Sequence, residues 1–307
     1  MIRATAFALA TLLSYSGVAS PKSSGVPPEK KRAPSWHVVV TPAAGFFKNI
    51  LRFSYEMPTG PDERTPVTKE LTDTGWGAAV MVGLMGKRFA ITNVTFLVPD
   101  VNECRVLGNV LYASYRHPVT EHIDIFGGLG MVYNNIVGVY ENFEDSVTKN
   151  GVTATAHFDE FHITNNVFAP FPRVGVRFKL PIQHWYIAPW ASYMLEAFRL
   201  DIYSPGGRVN IPEPINDTKI IPEIRSEKWK FYHSPLVGLD LFLDFHYALQ
   251  LRVRAHYDLN HDKLNIRVMG AAFFSRRVPI GIAAYFTYAE GIVHDNIYAF
   301  VGPSYLF

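Results

Sequence analysis

The chain has 307 residues, of which 48% are hydrophobic, 14% aromatic and only 18% charged. Low charge with many aromatics excludes an intrinsically disordered chain. A net charge of +2, from 29 basic against 27 acidic residues, removes the bulk electrostatic case for nucleic acid, and one cysteine excludes an internal disulfide framework or a multi-cysteine zinc site.

Met1-Ile2-Arg3 gives a basic start, Ala4 to Leu13 an uncharged Ala/Leu-rich stretch, and Ser16 to Ser20 a run of small residues. This is the three-part pattern of a secretory signal, too short to span a bilayer, and it predicts a signal peptide over 1–19 with cleavage after Ala19. Residues 20–35 are rich in Pro, Ser and Lys without periodicity and read as a flexible linker. From 36 to 307 no window holds about 18 consecutive apolar residues, so a helical membrane protein is disfavoured.

The body alternates with a period of two, which sends successive side chains to opposite faces of a strand. Twelve strands are predicted, at about 36–55, 74–86, 88–98, 105–116, 122–139, 172–180, 185–203, 229–245, 247–259, 263–275, 279–289 and 296–307. Pro42 makes the first the weakest, because strands tolerate proline mainly at edges or bulges. The clearest is the ninth. There Tyr247, Leu249, Leu251, Val253, Ala255 and Tyr257 form one face, and Gln250, Arg252, Arg254, His256 and Asp258 the other. An apolar face about ten residues long with tyrosine at each end suits a tilted strand crossing the hydrocarbon layer. Short connections alternate with long polar ones at Met57–Asp73, Tyr140–Phe171 and Ser204–Lys228, the layout of a closed barrel with tight periplasmic turns. The expected fold is an all-β, closed, antiparallel transmembrane β-barrel of about 12 strands (10–14 possible) over 36–307. A soluble sandwich is the competitor, but it would carry more charge on its solvent face.

The ending from Tyr298 to Phe307, with Tyr305 two residues before a terminal Phe307, resembles the last strand of Gram-negative outer-membrane β-barrel proteins. Pro303 departs from that pattern. The resemblance implies outer-membrane location after export, outer-membrane lipids as surroundings, and recognition of Tyr305 and Phe307 by the barrel assembly machinery. It does not identify a family within the class, nor an oligomeric state.

No catalytic, cofactor or metal site is expected. His233-Ser234, Glu121-His122 with Asp124, and His256 with Asp258 are the residues an outer-leaflet lipid hydrolase would draw on, yet adjacent strand residues face opposite ways. His157, Asp159, Glu160 and His162 read as a solvated loop cluster, and Gly206-Gly207-Arg208 as a turn. The inward sets are more informative: Arg173, Arg177, Lys179, Arg252, Arg254 and Arg267 against Glu196, Asp240 and Asp244. Neighbouring strands would let the two aspartates meet Arg252 and Arg254. Small inward residues (Gly75, Gly77, Ala79, Gly281, Ala283) leave room for a pore. A passive or weakly selective channel with a slightly basic lumen is therefore expected. A closed structural or surface-interaction barrel is the alternative, in which the charges satisfy one another.

Overall fold

The computed structural model describes residues 36–58, 64–101, 104–149, 152–182, 185–211, 217–245, 249–274, 280–291 and 294–306. The chain divides into two units, Met1–Ser35 and Trp36–Phe307, and every described residue belongs to the second. The expected signal peptide and linker lie outside the described residues, as do Tyr247 and Phe307.

Fourteen strands form one antiparallel sheet: β1 (Trp36–Pro58), β2 (Arg64–Gly86), β3 (Phe89–Val101), β4 (Cys104–Pro118), β5 (Ile123–Lys149), β6 (Val152–Lys179), β7 (Tyr186–Ser204), β8 (Gly207–Ile211), β9 (Asp217–Ile221), β10 (Ile224–Phe245), β11 (Leu249–Asp258), β12 (Lys263–Phe273), β13 (Ile280–Ala289) and β14 (His294–Leu306). Twelve of them close a ring, because β1 pairs with β14, β5 with β6, and β7 with β10. The hairpin β8–β9 hangs on β6 through Thr155–Phe158. Closure leaves no unpaired edge in the membrane zone, the condition for a sheet in lipid.

Through the ring, alternation sets an apolar outer belt. On β1, Val38, Val40, Ala44 and Phe46 face out while Thr41, Ala43, Gly45 and Phe47 face in. Exposed aromatics rim the belt: Phe89 against Tyr115 at the end with the tight turns, and Phe46 edge-on to Trp76 at the far end. Asn93, Thr95 and Asn109 interrupt the belt on β3 and β4, and they hydrogen-bond one another, which limits the cost of polar groups facing lipid.

Three expected loops are strands instead. β1 and β2 run on to Pro58 and from Arg64, β5 and β6 to Lys149 and from Val152, and β7 and β10 to Ser204 and from Ile224. Alternation persists there, but its polarity is reversed. Outer positions turn polar (Lys48, Arg52, Ser54 and Glu56 on β1) and inner ones apolar (Leu51, Phe53, Tyr55). Within this taller end the inner side chains of β1, β2, β5, β6, β7, β8 and β9 form one buried core. Phe53 of β1 reaches Phe161 of β6 at 5.7 Å, and Tyr55 meets Phe158 edge-on at 6.0 Å. β1 and β6 stand nearly opposite in the ring, so these rings close a cap over the far mouth. A polar clamp reinforces it: the Tyr55 hydroxyl and the Lys69 ammonium each donate to Asp145 at 2.7 Å. Burial, and then the bond to Asp145, hold the Tyr55 phenol well above its ordinary range.

Candidate functional site

Below the cap the interior has two unlike walls. Phe47, Met81, Phe96, Val98, Val106, Ile136, Tyr285, Tyr298 and Phe300 make an apolar wall along β13–β14 and β1–β5. Facing it, β6, β7, β10, β11 and β12 carry nearly all the charge.

Asp240 of β10 is its hub. Register places Asp240 beside Arg254 and Arg254 beside Arg267, on one inward row across β10, β11 and β12. Arg254 grips Asp240 through Nε at 2.6 Å and Nη2 at 2.8 Å, and Arg252 donates through Nη2 at 2.5 Å. The Trp190 indole donates to the same carboxylate at 3.2 Å. A bidentate, charge-assisted arrangement of this kind holds both arginines in fixed positions. Trp190 fits because the opposing residue is Gly238, where a Cβ would collide with the indole.

Arg173 of β6 is 4% exposed and has no acidic partner among the described residues. Its guanidinium lies 3.9 Å from the Trp190 ring centre, 4.9 Å from Tyr112 and 5.6 Å from Phe171, a cage of three rings. Arg177 stacks in the same manner on Tyr186 at 3.8 Å. His256 of β11 packs on Trp190, with Arg267, Arg173 and Arg254 as its charged neighbours besides Asp240.

The remaining expected residues lie at the two ends. Lys179 bonds Asp124 at 2.8 Å near the turn end, with Arg116 at 3.7 Å. Asp124 is therefore committed to cations and not to Glu121-His122 chemistry. Asp244 is buried opposite Gln250 rather than shared between Arg252 and Arg254, because those side chains converge on Asp240. Glu196 faces inward near His261 and Asp258, on the cap side. Tyr305 faces outward on β14. The room expected beside the small inward residues is taken in part: Val98 fills the space by Gly77 and the Phe273 ring that by Gly281.

One grouping was not legible in the sequence. Ser234 and Asp258 both approach Nδ1 of His261, at 3.3 and 2.9 Å, in the β11–β12 turn. A hydrolytic triad needs the two ring nitrogens divided between serine and acid, and an accessible serine. Here one nitrogen serves both and Ser234 is fully buried. Asp258 also accepts the Asn260 and His261 amides, so the group pins a turn. His157 and His162, expected in a loop, stand on β6 and pair separately, His157 with Glu144 at 2.7 Å and His162 with Glu160 at 2.6 Å.

No protein-family model and no curated protein matches the chain. Among solved structures, it is similar to the translocator domain of the autotransporter NalP from Neisseria meningitidis. The identity is 14% over 91% of this chain and 90% of that one, with a TM-score of 0.45. The beta domain of the Bordetella autotransporter BrkA gives 15% identity, 87% and 98% coverage, and a TM-score of 0.40. A toluene transporter of Pseudomonas putida, TodX, gives 6% identity, 89% coverage of each chain and a TM-score of 0.30. The assignment as a transmembrane β-barrel rests on the chain's own closed ring of twelve strands and its lipid-facing belt.

Proposed function

We propose that the protein is an outer-membrane channel, exported by its signal and inserted through its last strand, whose basic interior favours anions and whose capped mouth faces the cell exterior. The observation that carries this is the set of five inward arginines, Arg173, Arg177, Arg252, Arg254 and Arg267, on one wall of the interior, of which Arg252 and Arg254 share the carboxylate of Asp240. Fixed guanidinium groups in a low-dielectric passage attract anions and repel cations. The Tyr55–Asp145–Lys69 clamp makes the cap a gate that opens when the β1–β2 and β5–β6 hairpins part.

The test is conductance in planar bilayers, on protein shown to be folded by its heat-dependent shift on SDS gels. Expected are anion-selective steps, more frequent in Asp145→Asn, with the anion preference reduced in Arg267→Gln. Folded, inserted protein that passes no current in either the native or the Asp145→Asn form overturns the channel. A closed surface-interaction barrel then takes its place, favoured by the fully buried aromatic cap and by Trp229 and Phe231 standing exposed on the outer face of β10.

A further inference from the structure

Arg173, Arg252, Arg254 and Arg267 are charged neighbours of one another, with the Asp240 carboxylate among them. Asp240 is already saturated by Arg252, Arg254 and the indole. Several donors around it are left over: Nε and Nη1 of Arg173, Nε of Arg252, Nε of Arg267 and Nδ1 of His256 are buried and meet no acceptor among the described residues. A guanidinium cannot shed its charge as a lysine or histidine can, so burial alone gives it no way out. Like charges held close in a low-dielectric interior need a counter-charge with acceptor oxygens.

We infer that the barrel interior holds a specific binding site for a small multivalent oxyanion of the phosphate class, formed by Arg173 of β6, Arg267 of β12 and His256 of β11. Arg173 and Arg267 approach from different parts of the basic wall, and both count Arg254 among their charged neighbours. The donor type suits an oxyanion as well as the charge does. Guanidinium forks match the paired oxygens of an oxyanion, whereas a spherical halide satisfies one donor at a time. The ring cage on Arg173 and the packing of His256 on Trp190 keep these donors in place before an anion arrives, so less ordering opposes binding. The site rests on the same basic interior as the channel reading but deepens it: an anion here is bound, and passage requires its release.

Binding and conduction are read separately. Isothermal titration of the folded barrel in detergent, in chloride-free buffer, uses inorganic phosphate as probe. One saturable phosphate per chain is expected. Arg267→Gln and Arg173→Gln should each weaken it about tenfold or more, the loss expected for a charge-assisted bond. Arg267→Lys should retain part of the affinity. Each variant is first confirmed folded by its heat-dependent gel shift, and native-protein binding stands as a test even if both glutamine variants fail to fold. Phosphate that binds without saturation, or is displaced by an equal concentration of chloride, or is indifferent to both substitutions in folded protein, overturns the site. Saturable binding without conductance would sink the channel and leave the site standing. Conductance without saturable binding would do the reverse.

Discussion

The same strands run through two regions that obey opposite rules. In the membrane zone β1 turns Val38, Val40 and Phe46 outward to lipid; further along it turns Arg52, Ser54 and Glu56 outward to water and buries Leu51, Phe53 and Tyr55. Neither the period nor the register changes, since β1 stays paired with β2 from Trp36↔Gly86 to Pro58↔Arg64. Only the solvent outside differs. The hydrophobic effect acts on whichever face is kept from water, so lipid removes that pressure from the inner face of the ring and water restores it in the cap. Charge is accordingly tolerated inside the ring, whereas the apolar cap buries the Asp145 carboxylate only with Tyr55 and Lys69 bonded to it.

Three measurements test this contrast. The largest effect is expected in the ring. Asp240→Ala leaves the mostly buried Arg254 and the partly exposed Arg252 without their carboxylate, at a cost of about 3 kcal/mol. It should abolish the SDS-resistant form or move the urea refolding midpoint sharply, and an unchanged midpoint would show that this charge is not structural. In the cap, Phe161→Ala removes a fully buried ring shared by Phe53, Tyr55, Phe143 and Phe158, worth about 3 kcal/mol. The cost should stay local, with the 143–161 hairpin cut by protease while the gel shift persists. Loss of the gel shift would mean that ring and cap fold as one unit. The smallest effect lies at the rim. Burial raises the Asp295 pKa, but the Arg52 bond at 2.7 Å and the Gly291 amide outweigh it, leaving a net depression. A depressed carboxylate contributes stability above its unfolded pKa and loses it as pH falls through the folded one. The pair should thus stabilise at neutral pH by under about 1 kcal/mol. Between native protein and Asp295→Asn, the difference in urea midpoint should vanish below the ordinary carboxylate range. A difference that survives at low pH would mean that Asp295 acts through packing.

The contrast also explains what could be read from the chain alone. Strand count, closure and the inward arginines follow from period two against a constant apolar outer face, as at Leu249–Tyr257. The taller end was hidden because polarity inverts there and, on β5–β6, the alternation itself slips a step at Asn142 and Asp159: Phe158, Phe161 and Ile163 among His157, Glu160 and His162 look like a polar loop to a reader seeking a lipid-facing stripe. Partnerships were also out of reach. Asp240 and Asp244 are equivalent on the strand, and only the convergence of Arg252 and Arg254 selects Asp240. Serine 234 meets Asp258 through His261, a residue in a turn whose direction no periodicity reports. The aromatic cap needs β1 to meet β6 from nearly opposite sides of the ring, a contact with no local signature.

The joint between the first and last strands carries a gap in its ladder. Register is kept along it, yet the ladder skips from Val40↔Tyr305 to Ala44↔Val301, past Pro42 and Pro303, which have no amide proton to give. Inside that gap the Thr41 hydroxyl reaches Ser304 at 2.9 Å, and Gly302 allows the Pro42 carbonyl to come so close that a Cβ there would overlap it. In this ring β1 and β14 are also the paired strands farthest apart in the chain, so their meeting closes the longest loop. The missing rungs therefore lower the work of unzipping and of closure at one and the same place, and a side-chain latch takes over where the backbone lets go.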